Sequence, residues 1–201
     1  MDNNPVVNKK YKALSVIYAE ITPVENLVIR TQLGVDYSHS TADMKSYPSF
    51  PGNNGIGVAG RSSSDAVNLT ITNTANYRFE IGNSHSFNFM LGQEGVDYRS
   101  DSFQVIVSGQ NNDFLTDLSS GTRASSWGNA SSSYAYLSFF GRAEYNYKDR
   151  YYADFSLRTD ASSRFGKDGR WATFWSVGLM WNMKQEAFLK KVAMLTFGSI
   201  R

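Results

Sequence analysis

The sequence predicts an all-β fold, an antiparallel transmembrane β-barrel segment of about eight meander strands. Three observations carry that expectation. Apolar and polar residues alternate with period two through long segments, short polar turns alternate with long connections, and Tyr and Trp gather at segment ends. Alternation of this kind marks strands whose two faces meet different environments. A barrel in lipid turns the apolar face outward and the polar face toward a lumen.

The first strand is expected at about Lys12 to Ile21, with mixed faces. The second, Leu27 to Tyr37, sets Leu27, Ile29, Leu33, Val35 and Tyr37 against Arg30, Gln32 and Asp36. The third, Val67 to Ile81, sets Leu69, Ile71, Tyr77 and Phe79 against Asn68, Thr70, Arg78 and Glu80. A fourth opens near Ser86 with Phe87, Phe89 and Leu91. Its phase is lost around Gly92 to Gly95, where a bulge is expected.

The fifth and sixth strands, within Ser132 to Asp160, are the clearest. Leu137, Phe139, Ala143, Tyr145 and Tyr147 oppose Ser138, Arg142, Glu144 and Asn146. Tyr151, Ala153, Phe155 and Leu157 oppose Asp154, Ser156, Arg158 and Asp160. The seventh puts Trp171, Trp175, Val177, Leu179 and Trp181 on one face, and the eighth is expected at Met194 to Arg201.

Pro23 to Asn26, Gly82 to His85 and Lys148 to Arg150 read as tight turns. Ser38 to Ala66, Arg99 to Ser131 and Ala161 to Arg170 read as long, polar loops, and Phe103 to Val107 fits either an extension of strand four or a loop hairpin. Met183 to Ala193 is helix-compatible. In a meander every second connection emerges on the same rim, so short and long connections segregate to opposite rims, as in outer-membrane barrels.

Composition narrows the classes. Aromatic residues make up 14% and charged residues 19% of 201 residues, and the formal net charge is +2. No basic stripe points to nucleic acid. Cysteine is absent, which excludes a disulfide scaffold or thiolate metal site. No stretch approaches the roughly 18 apolar residues of a membrane helix, so a span must be built from strands. The N-terminus lacks the pattern of a secretory signal; combined with the barrel reading, this predicts an internal piece of a longer chain. A soluble sheet also alternates, but strands of ten or more residues exceed its usual five or six.

No catalytic constellation stands out. His39 and His85 lie 46 positions apart without ligand spacing, so solvated histidines are expected rather than a zinc site. Glu144 and Asp154 invite a paired-carboxylate reading, yet Arg142 and Arg158 on the same face favour a charge network over glycosidase chemistry. Ser162 and Ser163 lack the setting of a nucleophile. Gly52 to Gly60 is not followed by a helix and reads as flexible loop rather than a phosphate cradle. No metal or cofactor is expected.

The polar faces supply the candidate residues. Arg30, Asp36, Arg78, Glu80, Arg142, Glu144, Asp154, Arg158 and Asp160 are expected to line the lumen, where they contact a ligand or plug, or pair across strands and hold the wall. Trp127 is expected in an extracellular loop, available to stack on a sugar or support a partner.

From Ser132 onward the chain resembles the SusC/RagA-type TonB-dependent outer-membrane transporters. The matching elements are FFGRAEYNYKDRYYADFSLRTDASSRFGK, GRWATFWSVGLMWNM, EAFLKKV and LTFGSIR. Ala161 stands where the family usually has Gly, and Trp175 where it usually has Pro. The resemblance implies that residues 1–201 are part of one barrel domain of the 22-stranded plugged type, lacking the signal peptide, plug and C-terminal strands. It implies location in the outer membrane in contact with lipid, and import of oligosaccharides, glycans or peptides rather than catalysis. It also implies two partners, a SusD-like lipoprotein and the TonB complex. From the residues alone, two other readings stay open: a small closed outer-membrane barrel with an adhesin or structural role, and a soluble β-sandwich binding module.

Overall fold

The computed structural model describes residues 5–166 and 169–186, and within them the chain is a single antiparallel sheet. Seven strands follow in order: β1 (Val6–Val24), β2 (Leu27–Ser46), β3 (Gly57–Ile81), β4 (His85–Gln110), β5 (Arg123–Tyr147), β6 (Tyr151–Ser162) and β7 (Trp171–Trp181). Each pairs with its sequence neighbours, so β1 and β7 are the edges among the described residues. The eighth expected strand, and most of the helix-compatible segment, lie outside the described residues. The described start of that segment is a 3-10 turn, Met183–Gln185.

Tight turns arise where backbone can enter the left-handed region. Glu25 and Asn26 join β1 to β2, with Asn26 at φ 66°. Lys148 and Asp149, at φ 52° and 55°, close the β5–β6 hairpin, and Arg150 N donates to Tyr147 O at 3.0 Å. Positive φ at both central residues matches the right-handed twist of the flanking strands. Asn146 Oδ1 accepts from the Asp149 amide at 2.9 Å, which offsets the cost of that conformation.

The long connections are shorter than expected. Most of 38–66 and of 99–131 is strand: β2 runs to Ser46, β3 starts at Gly57, β4 runs to Gln110 and β5 starts at Arg123. Phe103 to Val107 is therefore an extension of β4, and Trp127 lies in β5 rather than in a loop. Serine, asparagine and glycine carry weak strand propensity, but pairing with a neighbouring strand satisfies their backbone groups and overrides it. The remaining loops are tied down. Lys45 Nζ reaches Thr116 Oγ1 at 2.9 Å, and the Ser49 amide reaches Asp113 Oδ1 at 3.0 Å.

The bulge expected at Gly92 to Gly95 is also corrected. Asn88 Nδ2 donates to Glu144, and Arg158 donates to Glu94 on the same sheet face. Residues six apart on one face mean that strand phase is unbroken. What stops is the apolar pattern, because Gln93 and Gly95 occupy the face that Phe87, Phe89 and Leu91 began.

Compactness divides the sheet into two units. One is 1–17, 33–70 and 96–135, and holds the connections 47–56 and 111–122; the other is 18–32, 71–95 and 136–201, whose described part holds the three tight turns. Apart from Pro48, Gly57 and Gly60, Ala59 is the only buried apolar residue among the described ones. Leu137, Phe155, Leu157, Val177 and Leu179 are all exposed, Leu179 by 82%. A soluble chain of 201 residues would bury a core. No second layer covers this sheet among the described residues, so its apolar side chains form a face and not a core.

Candidate functional site: a charged sheet face

In the second unit, registration of β5, β6 and β7 decides which charges meet. Glu144 pairs with Asp154, Arg142 with Ser156, Phe140 with Arg158 and Ser138 with Asp160. Asp154, Ser156 and Arg158 in turn pair with Gly178, Ser176 and Phe174. Period two puts all of these on one face. The other face carries an aromatic row: Phe79 stacks on Phe87 at 5.0 Å, Phe87 meets Tyr145 at 4.9 Å, and Tyr151 stacks on Trp181 at 6.4 Å.

Two carboxylates directly opposite one another repel. For Glu144 and Asp154 that repulsion is met by Arg142, whose Nη2 lies 2.9 Å from Glu144 and 4.0 Å from Asp154. Asn88 Nδ2 donates to the second Glu144 oxygen at 2.8 Å. Arg158 is a denser node. Its Nε donates to Asp160 Oδ1 at 2.7 Å, and its Nη2 to Ser138 Oγ at 3.0 Å and Glu94 Oε1 at 3.2 Å. Its guanidinium lies 5.4 Å from the centre of the Phe140 ring. Thr72 Oγ1 donates to the other Glu94 oxygen at 3.3 Å. The planar fork of arginine suits such divided pairing.

Phe140 is held in place by an absence. Its ring lies across Gly92, where an added Cβ would collide with the ring carbons. A similar gap at Gly178 admits the Asp154 carboxylate.

Of the nine expected residues, five (Arg142, Glu144, Asp154, Arg158 and Asp160) join in these networks. Arg30 forms a separate group: it donates to Gln32 at 2.9 Å, lies 4.0 Å from Glu20, and covers the Tyr18 ring at 4.0 Å. Arg78 borders a groove of about 370 Å³ with Asn88, Arg142, Glu144 and Asp154. Arg78 and Glu80 also border a groove beside the turn residues Asn83, Lys148 and Asp149. Asp36 is exposed on β2 and belongs to the other unit. Trp127 is 73% exposed on β5.

Four participants escaped sequence reasoning. Glu94 and Asn88 share the parity of Arg142, but the supposed loss of phase at Gly92 hid the first. Phe140 breaks the polar pattern and was readable only through Gly92. Glu186 follows the 3-10 turn and accepts from Tyr151 Oη at 2.7 Å and Trp181 Nε1 at 3.3 Å, with Arg150 Nη1 3.5 Å away. The Tyr151 hydroxyl chiefly, then the Trp181 indole, hold its carboxyl below the usual carboxylate range against the opposing effect of desolvation.

The two histidines are hydrogen-bonded, not merely solvated. His39 Nδ1 lies 2.8 Å from Asp65, and His85, the first residue of β4, lies 2.8 Å from Tyr145 Oη. No three of His, Cys, Asp and Glu gather to hold a metal among the described residues. Chemically, the face offers fixed, paired charges along an open surface. That arrangement can hold a wall together and present polar groups to solvent or a hydrated ligand.

Comparison with known proteins agrees with this architecture. A family model described as TonB dependent receptor-like, beta-barrel matches residues 9–198. The TonB-dependent receptor SusC of Bacteroides thetaiotaomicron is 31% identical over 171 residues, covering 85% of this chain and 17% of that protein. TonB-dependent receptor P26 of Formosa agariphila is 27% identical over 220 residues, covering 99% and 21%. Among solved structures, the RagAB peptide transporter superposes with a TM-score of 0.87 at 33% identity, over 92% of this chain and 21% of that one. The Ferric-Catecholate import receptor Fiu of E. coli shares the fold at 13% identity, with a TM-score of 0.53. The chain thus spans about a fifth of the length of SusC, of P26 and of the RagAB chain.

Proposed function

The chain belongs to the TonB dependent receptor-like β-barrel family, and from that premise we propose that it forms wall in an outer-membrane transporter that imports nutrients. The observation that carries the reading is the sheet's two-faced surface. One face exposes apolar and aromatic side chains with no layer over them among the described residues; the other carries the Arg142 and Arg158 networks. In lipid an uncovered apolar face is stable, and charge belongs on the lumen side.

In this reading Arg30, Asp36, Arg78, Glu80, Arg142, Glu144, Asp154, Arg158 and Asp160 line the lumen. Most of them act on the wall itself, through pairs that reach from one strand to the next. The cargo is an oligosaccharide or a peptide; SusC-type kinship and the RagAB neighbour support this range. Energy comes through the TonB complex, and a SusD-like lipoprotein covers the outer side. The protein is a transporter and not an enzyme.

Uptake by intact cells tests this. Loss of the gene should abolish uptake of either a fluorescent maltooligosaccharide set or a labelled peptide mixture, and an uncoupler should abolish the same uptake in the parent strain. Unchanged uptake of both sets after gene loss would contradict the transporter reading.

A further inference from the structure

The β5 strand is longer than its neighbour. β6 pairs with it only as far as Tyr136, which lies opposite Ser162, the last residue of β6. The connection that follows closes on itself: the Ser162 amide donates to Arg170 O at 3.2 Å, and Arg170 Nε to Phe165 O at 3.3 Å. Because β6 follows β5 in both sequence and sheet, no other described strand stands beside the far part of β5. Every residue from Arg123 to Ser133 is exposed.

Bonding on the other side shows which backbone groups are open. Ser102 Oγ donates to Ala130 O at 3.3 Å, so Ala130 turns its carbonyl toward β4. The Thr122 amide donates to Ser108 O of β4 at 3.0 Å, with the same parity. Tyr147 O, of opposite parity, accepts from Arg150 on the β6 side. In a strand successive residues direct their N–H and C=O to opposite edges. Trp127, Asn129, Ser131 and Ser133 therefore present both backbone groups at the open edge. The β4 side keeps this part in place, through Ser131 Oγ with Asp101 at 2.6 Å and Ser125 Oγ with Ser108 at 2.7 Å.

Natural edges are blunted by proline, charge, bulges or shortness. The run from Trp127 to Ser133, WGNASSS, contains no proline and no charged residue. It offers four donor–acceptor pairs at every second residue, over roughly 20 Å. A saccharide can satisfy one such pair, but only another extended backbone matches the repeat. With no charge along the edge, recognition is tolerant of sequence, and exposed Trp127 supplies an apolar platform at one end.

We propose that the Trp127–Ser133 edge of β5 docks an extended peptide from outside, which adds to the sheet as a strand. This names a ligand class for the transporter reading and rests on it only for the peptide's arrival as cargo; docking itself is read without uptake.

Amide hydrogen exchange on the full-length receptor in detergent micelles tests the docking. In the free protein the amides of Trp127, Asn129, Ser131 and Ser133 should exchange fast, and those of Gly128, Ala130 and Ser132 slowly. A blocked, uncharged decapeptide of serine, threonine and valine should slow the first four at least tenfold. The same peptide N-methylated at every second residue should not, and neither should maltoheptaose. Asn129→Pro, which removes one open N–H and no bond to β4, should abolish protection by the decapeptide with an unchanged melting temperature. Slow exchange of the four amides in the free protein would show that another segment or a second copy already covers the edge, and would overturn the proposal. Equal protection by the N-methylated peptide or by maltoheptaose, or none at millimolar decapeptide, would overturn it as well. Failure of uptake with docking intact would count against the transporter reading and leave the site standing.

Discussion

Tyr151 donates its hydroxyl to Glu186 at 2.7 Å, tying the first residue of β6 to the turn that follows β7. Trp181, the last residue of β7, reaches the same carboxylate oxygen. One carboxylate thus fastens two strand ends and a 3-10 turn.

The direction of the Glu186 shift sets a pH dependence. Its carboxyl is held below the ordinary range, so its contribution to stability is complete above about pH 4.3, the unfolded glutamate value. That contribution is lost as pH falls through the lower folded value. Melting of the wild type and Glu186→Ala in micelles should differ at pH 6 and converge in acid. A difference that stays constant from pH 6 to pH 3 would remove the carboxylate from the explanation.

Arg158 and Glu94 should behave as a coupled pair. Arg158 is 43% exposed, so solvent screening limits the pair to about 1 kcal/mol or less. Arg158→Met and Glu94→Gln should each lower the free energy of unfolding, and the double variant should lose less than their sum. That shortfall should decrease in 1 M salt. Strict additivity by urea titration would mean that the 3.2 Å contact contributes nothing.

Gly92 and Phe140 should show the opposite logic. A methyl group at Gly92 collides with the Phe140 ring, so Gly92→Ala should cost roughly 1–3 kcal/mol through displacement of that ring. With Phe140→Ala already present, the added cost of Gly92→Ala should largely disappear. An equal cost in both backgrounds would place the strain in the backbone instead.

What the sequence disclosed depended on the local signal. Alternation in 132–181 carried both faces of β5 to β7 without error, because each residue's side of the sheet follows from parity alone. Positive-φ turns were legible in Asn26 and Lys148-Asp149. The outer parts of β3 and β5, such as SSSD at 62–65 and WGNASSS at 127–133, lack propensity and alternation. They are strands because neighbours pair with them, a nonlocal fact. Glu94 was obscured for a related reason: Gln93 and Gly95 erased the apolar pattern while the pairing continued. Glu186 joins residues 35 positions apart, and nothing near it in sequence announces Tyr151 as its partner.

Which face of β6 meets lipid decides the wall reading; residues 1–201 hold no cysteine, so single-site labelling needs only the replacement of any cysteine elsewhere in the receptor. Spin labels placed singly at Asp154, Phe155, Ser156 and Leu157 in bilayer-reconstituted full-length protein should alternate in accessibility. Phe155 and Leu157 should be relaxed by lipid-dissolved oxygen, and Asp154 and Ser156 by a water-soluble nickel chelate. Alternation in the reverse phase, or nickel accessibility at all four sites, would contradict a lipid-facing apolar surface.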